Sequence, residues 1–493
     1  MSVKLVLLAA GAAAFAQAPS VLQAISTRLT ADGLKADVSF LASDLLEGRG
    51  TPSRGLDLAA EYIAAEFRRA GLDPAGDDGY FQTANFVTVA AGTEGLELTV
   101  EIGGKTFQPD KASITLQNAS AADLNRVPAV VAPINAMGAL TPAQVNGKVL
   151  LVVGGGPAGR GRGGLSQGSM QALKPAAILM VLGAMPGGGR AGRRGRGGRG
   201  PQLREASVSA TVSLTVADAG LAAALEARPE GATVSLQVPA PMLTPVKLHN
   251  VAGLLRGSDA TLKDTYLIVT AHYDHLGIRD NGTHDHIYNG ADDDASGTSS
   301  TIEIAKALAA LPTRPRRSIL FVALFGEEVG ELGSRYYSEH PIYPLAKTVA
   351  DVNLEQLGRT DDTDGPRIGA FNLTGFDYTD LAAYFVKAGS QTGIHAVKHE
   401  QNSDAYFGRS DNAAFANVGV PSTTISVAYN FPDYHGAGDE WQKLDYENMA
   451  KVDRTIALAI IDMADSAQPP KWDAANPKTE QYRKAREASL SAR

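Results

Sequence analysis

Apolar residues recur at intervals of three and four in two stretches near the start of the chain, LKADVSFLASDLL from Leu34 and LDLAAEYIAAEFRRAGL from Leu56. That is the period of helices that bury one face. Gly71 closes the second in the manner of a C-terminal glycine. Between Val127 and Pro241 the pattern changes to short Val-rich runs, VPAVVAP, GKVLLVV, AAILMVL and ATVSLTV, separated by Gly and Pro, which predicts a small β-rich unit. From His249 onward, strand-length apolar runs alternate with helical repeats. Alternation of this kind predicts an α/β fold, an open mixed and mostly parallel sheet flanked by helices, with the β-rich unit inserted as a smaller domain.

The first residues put Lys4 before an apolar run from Leu5 to Ala16 with small residues at Ala14 and Ala16. This is the pattern of a signal peptide cleaved near Ala16. The run is shorter than the roughly 20 residues that span a bilayer, and no later segment is long and apolar enough. We therefore expect a periplasmic or secreted protein with no stable membrane insertion once the signal is removed.

At 493 residues the chain should form roughly two to four structural units. A net charge of -8 gives no global attraction to nucleic acid or anionic lipid. Two Gly/Arg segments, GGGPAGRGRGG from Gly154 and GGGRAGRRGRGGRGP from Gly187, are too poor in apolar residues to pack, so we expect solvated loops. An RNA-binding arm of RGG type is the rival reading. The acidic chain, the export signal and the lack of Phe or Tyr among these arginines argue against it. With no cysteine, disulfides, thiolate ligands and a cysteine nucleophile are all excluded. Any metal must be held by His and carboxylates.

The chemistry concentrates after His249. In DTYLIVTAHYDHLG the β-branched run Tyr266 to Ala271 ends on His272 and Asp274, two apart and on one side of the strand. A carboxylate there can fix the tautomer of a ligating histidine. Asp292, Asp293 and Asp294 then crowd a strand-to-helix junction, where three carboxylates repel unless a cation is present. A second strand, ILFVALFG, ends in Glu327 and Glu328; a third brings Glu355, and the loop beyond a fourth brings His435. In open α/β sheets ligands bind at the carboxyl ends of the strands, so four strands deliver His or carboxylate to one edge. His275, His284 and His286 lie between two of these segments and are read as polar loop residues.

The segments AHYDHLG, NGADDDASG, LFGEEVGELGS, NLEQLGR, RSDNAAF and DYHGAGDEW resemble the successive motifs of the M28 family of co-catalytic zinc peptidases, over Val246 to Asp465. The leader segments FLASDLLEGRGT and FRRAGLDP resemble the exported bacterial members, which often carry an inserted protease-associated (PA) domain. The resemblance implies a zinc exopeptidase fold and this division: signal peptide 1–18, N-terminal part of the peptidase domain 19–125, PA-like insert 126–243, catalytic domain 244–470 and C-terminal tail 471–493. It implies two zinc ions per chain, with Asp293 bridging them, His272 and Glu355 completing one, and Glu328 and His435 the other. The family usually has Asp where Glu355 stands. It also implies a cis peptide between Asp293 and Asp294. Glu327, beside a ligand but not needed as one, is placed to act as general base, with Asp274 supporting the site. From position alone, Tyr406, Arg409 and Asp411 are candidates to meet a peptide substrate.

The expected activity is removal of the N-terminal residue from peptides. A carboxypeptidase should gather several Arg or Lys residues around these motifs, and only Arg409 can be placed close by. The alternatives are an M28-like carboxypeptidase or dipeptidase and, outside the enzymes, a receptor-like binding ectodomain. A glutaminyl cyclase fits less well, because both histidines and a full two-metal set are present. The ectodomain reading requires degraded ligands, whereas all five are present.

Overall fold

A computed structural model of the chain describes residues 20–90, 94–154, 167–183, 202–206, 211–227, 230–282 and 284–491. The signal peptide and most of both Gly/Arg segments fall outside these residues. The described residues divide into two units, one formed by residues 20–82, 249–278 and 285–491, the other by those within 83–248 and 279–284.

The first unit is built on a mixed sheet. Its strands are β1 (Met242–Leu255, from His249 onward), β2 (Tyr266–His272), β3 (Ser318–Leu324), β4 (Thr348–Leu354), β5 (Ala370–Leu373), β6 (His395–Val397) and β7 (Ser422–Ser426). Their spatial order is β6-β5-β7-β4-β2-β3-β1. The four central strands, β7, β4, β2 and β3, are mutually parallel, while β1 runs antiparallel to β3 and β5 antiparallel to β7. β2, β3, β4 and β7 are buried at every position, as parallel strands covered on both faces must be. Their carboxyl ends share one edge, which is what brings the motif residues together.

Helices α1 (Ala31–Leu41), α2 (Arg54–Ala70), α3 (Gly297–Ala309) and α4 (Tyr446–Asp465) flank the sheet. α2 starts at Ser53, whose hydroxyl accepts from the Leu56 amide, and ends at Gly71 in left-handed conformation, as its sequence predicts. Near its start Gly55 lies against the backbone of the loop before it, where an added Cβ would stand 1.8 Å from the Leu46 carbonyl oxygen. Gly55→Ala should therefore displace the 44–51 loop and cost about 1–3 kcal/mol, read as a fall in the chemical-denaturation midpoint.

The second unit carries an eight-stranded sheet. Val149–Val153 lies at its centre, between parallel neighbours Ala122–Pro133 and Ala177–Leu182. Val149, Leu151 and Val153 enter one apolar cluster, Leu150 and Val152 another, so alternate side chains pack on opposite faces. The unit begins at Thr83 rather than at residue 126. Glu97–Ile102 pairs antiparallel with Thr233–Val238 and so belongs to this sheet, whereas the sequence division assigned it to the peptidase domain. The segment assigned as a C-terminal tail also departs from that description: Trp472 is buried and donates to the Gly419 carbonyl, Tyr482 stacks on it, and Glu480–Ser491 is helical.

Candidate metal centre

β2 ends at His272, which is fully buried. Its Nδ1 is 3.2 Å from the Asp274 carbonyl oxygen and 3.5 Å from Asp274 Oδ1, and its Nε2 points to Asp293, 3.3 Å from Oδ1. Asp274 ties three segments together. Its Oδ1 accepts from the Glu327 amide at 3.0 Å and its Oδ2 from the Thr51 hydroxyl at 3.0 Å.

The three consecutive aspartates have separate partners. Asp292 Oδ1 accepts from the amides of Gly358 and Arg359, and Asp294 Oδ1 from those of Gly297 and Gln356. Both outer carboxylates thus pin the turn to the loop after β4, and burial pushes both pKa values up. Only Asp293 reaches the site. Its backbone amide, with that of Asp292, donates to Asp439, and the Asp293–Asp294 peptide is cis.

Asp293 turns its two oxygens toward different histidines. Oδ1 faces His272, whereas Oδ2 lies 3.1 Å from His435 Nε2 and 4.0 Å from His275 Nδ1. Glu328 Oε1 lies 2.9 Å from His275 Nδ1 and 3.3 Å from His435 Nε2. Two groups of possible metal ligands result, His272–Asp293–Glu355 and His275–Asp293–Glu328, each with its donor atoms within 4.8 Å of one another. His272 Nε2, His275 Nδ1, Asp293 Oδ2 and Glu328 Oε1 are buried and without a hydrogen-bond partner. Buried polar atoms left unpaired are costly, so this convergence of orphaned N and O donors fits divalent ions of the zinc type.

His275 is the residue that sequence reasoning misplaced. It is buried, not a loop residue pointing to solvent, because its amide donates to the Arg49 carbonyl and its ring packs on Gly290. Gly290 has φ +57, and a Cβ there would stand 2.3 Å from the ring, so only glycine leaves it room. Its position directly after Asp274 was the available signal. Neither His284 nor His286 enters a possible metal-ligand group among the described residues.

Arg49 and Asp439 were also missed. Arg49 is fully buried and donates to the carbonyls of Leu41, Tyr273, Asn289 and Gly290, so one guanidinium clamps the loop after β2 to the turn that carries Asp293. It sits in the EGRGT segment, and its burial could not be read from the sequence.

The site's charges are strongly perturbed. Burial drives the Glu327 carboxyl well above its ordinary range, opposed by His272 and reinforced by Glu328 and Glu355. Glu355 is pushed up to about 7, again chiefly by burial. Burial also works against Asp293 and Glu328, but the nearby histidines outweigh it and hold both carboxyls below their ordinary range.

Of the residues placed near a substrate, Arg409 lies over the Tyr406 ring at 4.5 Å, and Tyr406 Oη accepts from the Asn430 amide. Asp411 is fully buried and accepts from the Ser334 hydroxyl, with its pKa raised by burial to about 7.

The fold and the paired ligand groups define an α/β protein with a candidate two-metal centre at the carboxyl edge of its parallel strands. Residues 250–460 match the sequence profile of peptidase family M28. Aminopeptidase YwaD of Bacillus subtilis (strain 168) is 24% identical over 229 residues, which is 45% of this chain and 46% of the relative. The probable glutamate carboxypeptidase AMP1 of Arabidopsis thaliana is 27% identical over 227 residues, 44% of this chain and 30% of that one. The chain thus spans less than half the length of these relatives. The solved structure of the aminopeptidase from Aneurinibacillus sp. strain AM-1 shares the fold, with a TM-score of 0.53 at 18% identity over 92% of this chain and 97% of that one.

Proposed function

We propose that the protein is an exported two-zinc aminopeptidase that hydrolyses the N-terminal residue from peptides. The observation that carries this reading is the pair of ligand groups sharing Asp293 at one edge of the sheet. The first group is His272, Asp293 and Glu355; Glu328 and His435 hold the second ion with the other oxygen of Asp293. When bound, such ions polarise a carbonyl and make water nucleophilic at neutral pH.

The protein's own groups supply the rest. Glu327 takes the proton from the attacking water and returns it to the leaving amine. Glu327 belongs to neither ligand group and its amide is held by Asp274, so its carboxyl is placed to serve both steps without giving up a metal donor. Asp274 orients this chemistry through backbone and ring together, holding the Glu327 amide with one oxygen and facing His272 Nδ1 with the same one. The Thr51 hydroxyl fixes the other oxygen. Export rests on the Lys4 to Ala16 pattern; among the described residues no helix is long and apolar enough to cross a membrane.

An aminopeptidase is favoured over a carboxypeptidase because carboxylates crowd the centre and several of the nearby cations are already engaged. Arg49 is bound to backbone carbonyls, Arg359 to Asp361 and Asp433, and Arg409 lies on an aromatic ring. A substrate carboxylate would need such a group, whereas a substrate ammonium is attracted by Glu327, Glu328 and Glu355. Acetylating the N-terminus of a good peptide substrate should abolish cleavage, and amidating its C-terminus should leave the rate nearly unchanged. The opposite pattern in a peptide-release assay would reassign the protein as a carboxypeptidase, the class named for the AMP1 relative.

A further inference from the structure

We infer that His275 is a fourth protein ligand of the Glu328-side ion, so that this position is closed by protein atoms while the His272-side position remains open. The inference rests on the two-metal reading above and adds a residue and a division of roles to it.

His275, Glu328 and Asp293 form one group of possible metal ligands, and His435 Nε2 stands beside the two carboxylates of that group. Each histidine nitrogen faces both oxygens. The separations are 2.9 and 4.0 Å from His275, and 3.3 and 3.1 Å from His435, to Glu328 and Asp293 respectively. Four ligands placed tetrahedrally about 2.0 Å from a zinc ion lie about 3.3 Å apart. These four histidine-to-carboxylate separations bracket that edge length.

Orientation supports the same conclusion. His275 Nδ1 and Glu328 Oε1 are 2.9 Å apart, yet neither atom has a hydrogen-bond partner, so the pair is close without being aligned as donor and acceptor. Two ligands of one centre stand in that relation, because both aim at a third point. The His275 ring is held there from behind: its amide is bonded to the Arg49 carbonyl, Gly290 leaves space for it, and the His435 ring meets it edge-on at 5.8 Å between centroids.

The two histidines differ in accessibility. The His275 side chain is 0% exposed and that of His435 39%. His435 is also carried on a loop, at a left-handed φ of 55°, while His275 is packed inside the unit. His275 therefore gives the position an inner anchor independent of the His435 loop. On the other side, His272, Asp293 and Glu355 supply three protein donors, the number that leaves one position for a non-protein ligand in catalytic sites. With both ions bound, the His275 side would mainly set charge and hold Asp293, and the three-donor His272 side would leave room for water and substrate.

The test is zinc titration of chelator-stripped protein by calorimetry, comparing wild type with His275→Asn and His275→Ala. Asn keeps a donor beside Glu328 but is a poor zinc ligand. If His275 is a ligand, both variants should bind one ion as wild type does and the other more than about 100-fold more weakly, beyond the roughly 10–100-fold lost with an outer partner. An Asn variant with two wild-type affinities would overturn the inference. Should either variant fail to fold, X-ray absorption of zinc-loaded wild type decides. Three histidine nitrogens shared by the two ions support His275 as a ligand, and two overturn it. A wild-type chain that takes up fewer than two ions removes the underlying two-metal reading before any variant is made.

Discussion

Replacing Glu327 by Gln should leave zinc content unchanged and lower kcat by about 10² to 10⁴, the usual worth of general acid–base assistance. The amide matches the carboxyl in shape but cannot accept a proton. Two features of the site make the comparison clean. Glu327 is in neither ligand group, so its substitution removes no metal donor. Its backbone is fixed independently of its side chain, because the Glu327 amide donates to Asp274 and its carbonyl accepts from the amides of Gly330 and Glu331. The variant should therefore keep its fold and its substrate affinity, with the loss confined to kcat. Turnover close to wild type, measured on protein of verified zinc content, would assign the proton transfer to another group.

How far the sequence anticipated this site depends on whether a residue's role follows from strand geometry or from a long-range contact. His272, Glu328 and Glu355 sit at or just past the ends of buried strands, and an apolar run that stops at a charged residue marks such an end without help from tertiary structure. Their convergence follows because β2, β3 and β4 are parallel. His435 lies nine residues beyond Ser426, where β7 ends, and was legible through its motif rather than through periodicity.

Other features depend on segments far apart in sequence. Arg49 lies 241 residues before Gly290, whose carbonyl it binds, and Thr51 lies 223 residues before Asp274. No local pattern encodes such pairings. The start of the second unit at Thr83 was missed for the same reason, since Glu97–Ile102 declares its sheet only through its pairing with Thr233–Val238. His275 was passed over because a histidine in a polar loop is usually solvated, and the buried turn that inverts this expectation is made by Arg49 and Gly290.

Asp293→Asn should abolish uptake of both ions at concentrations that saturate wild type, and with it all measurable turnover. Asp293 is the only residue common to the two ligand groups. Its oxygens are divided between them, Oδ1 standing 3.3 Å from His272 Nε2 and Oδ2 3.1 Å from His435 Nε2. The amide replaces one oxygen by a nitrogen that cannot ligate and removes a negative charge that, on the two-zinc reading, would lie between the two ions. The second effect would reach both positions, because that charge would offset the repulsion between the ions. By contrast Glu355→Gln changes one group alone and should weaken one ion only. Thermal unfolding provides the measurement. Zinc at about 100 times its dissociation constant stabilises a protein that binds it only when folded by about 2.7 kcal/mol per ion, which raises Tm. Wild type should show that rise, Glu355→Gln a smaller one and Asp293→Asn none. An Asp293→Asn variant whose Tm still climbs with zinc would show that the two positions do not depend on a shared bridge, and that each is held by its own histidines and glutamate.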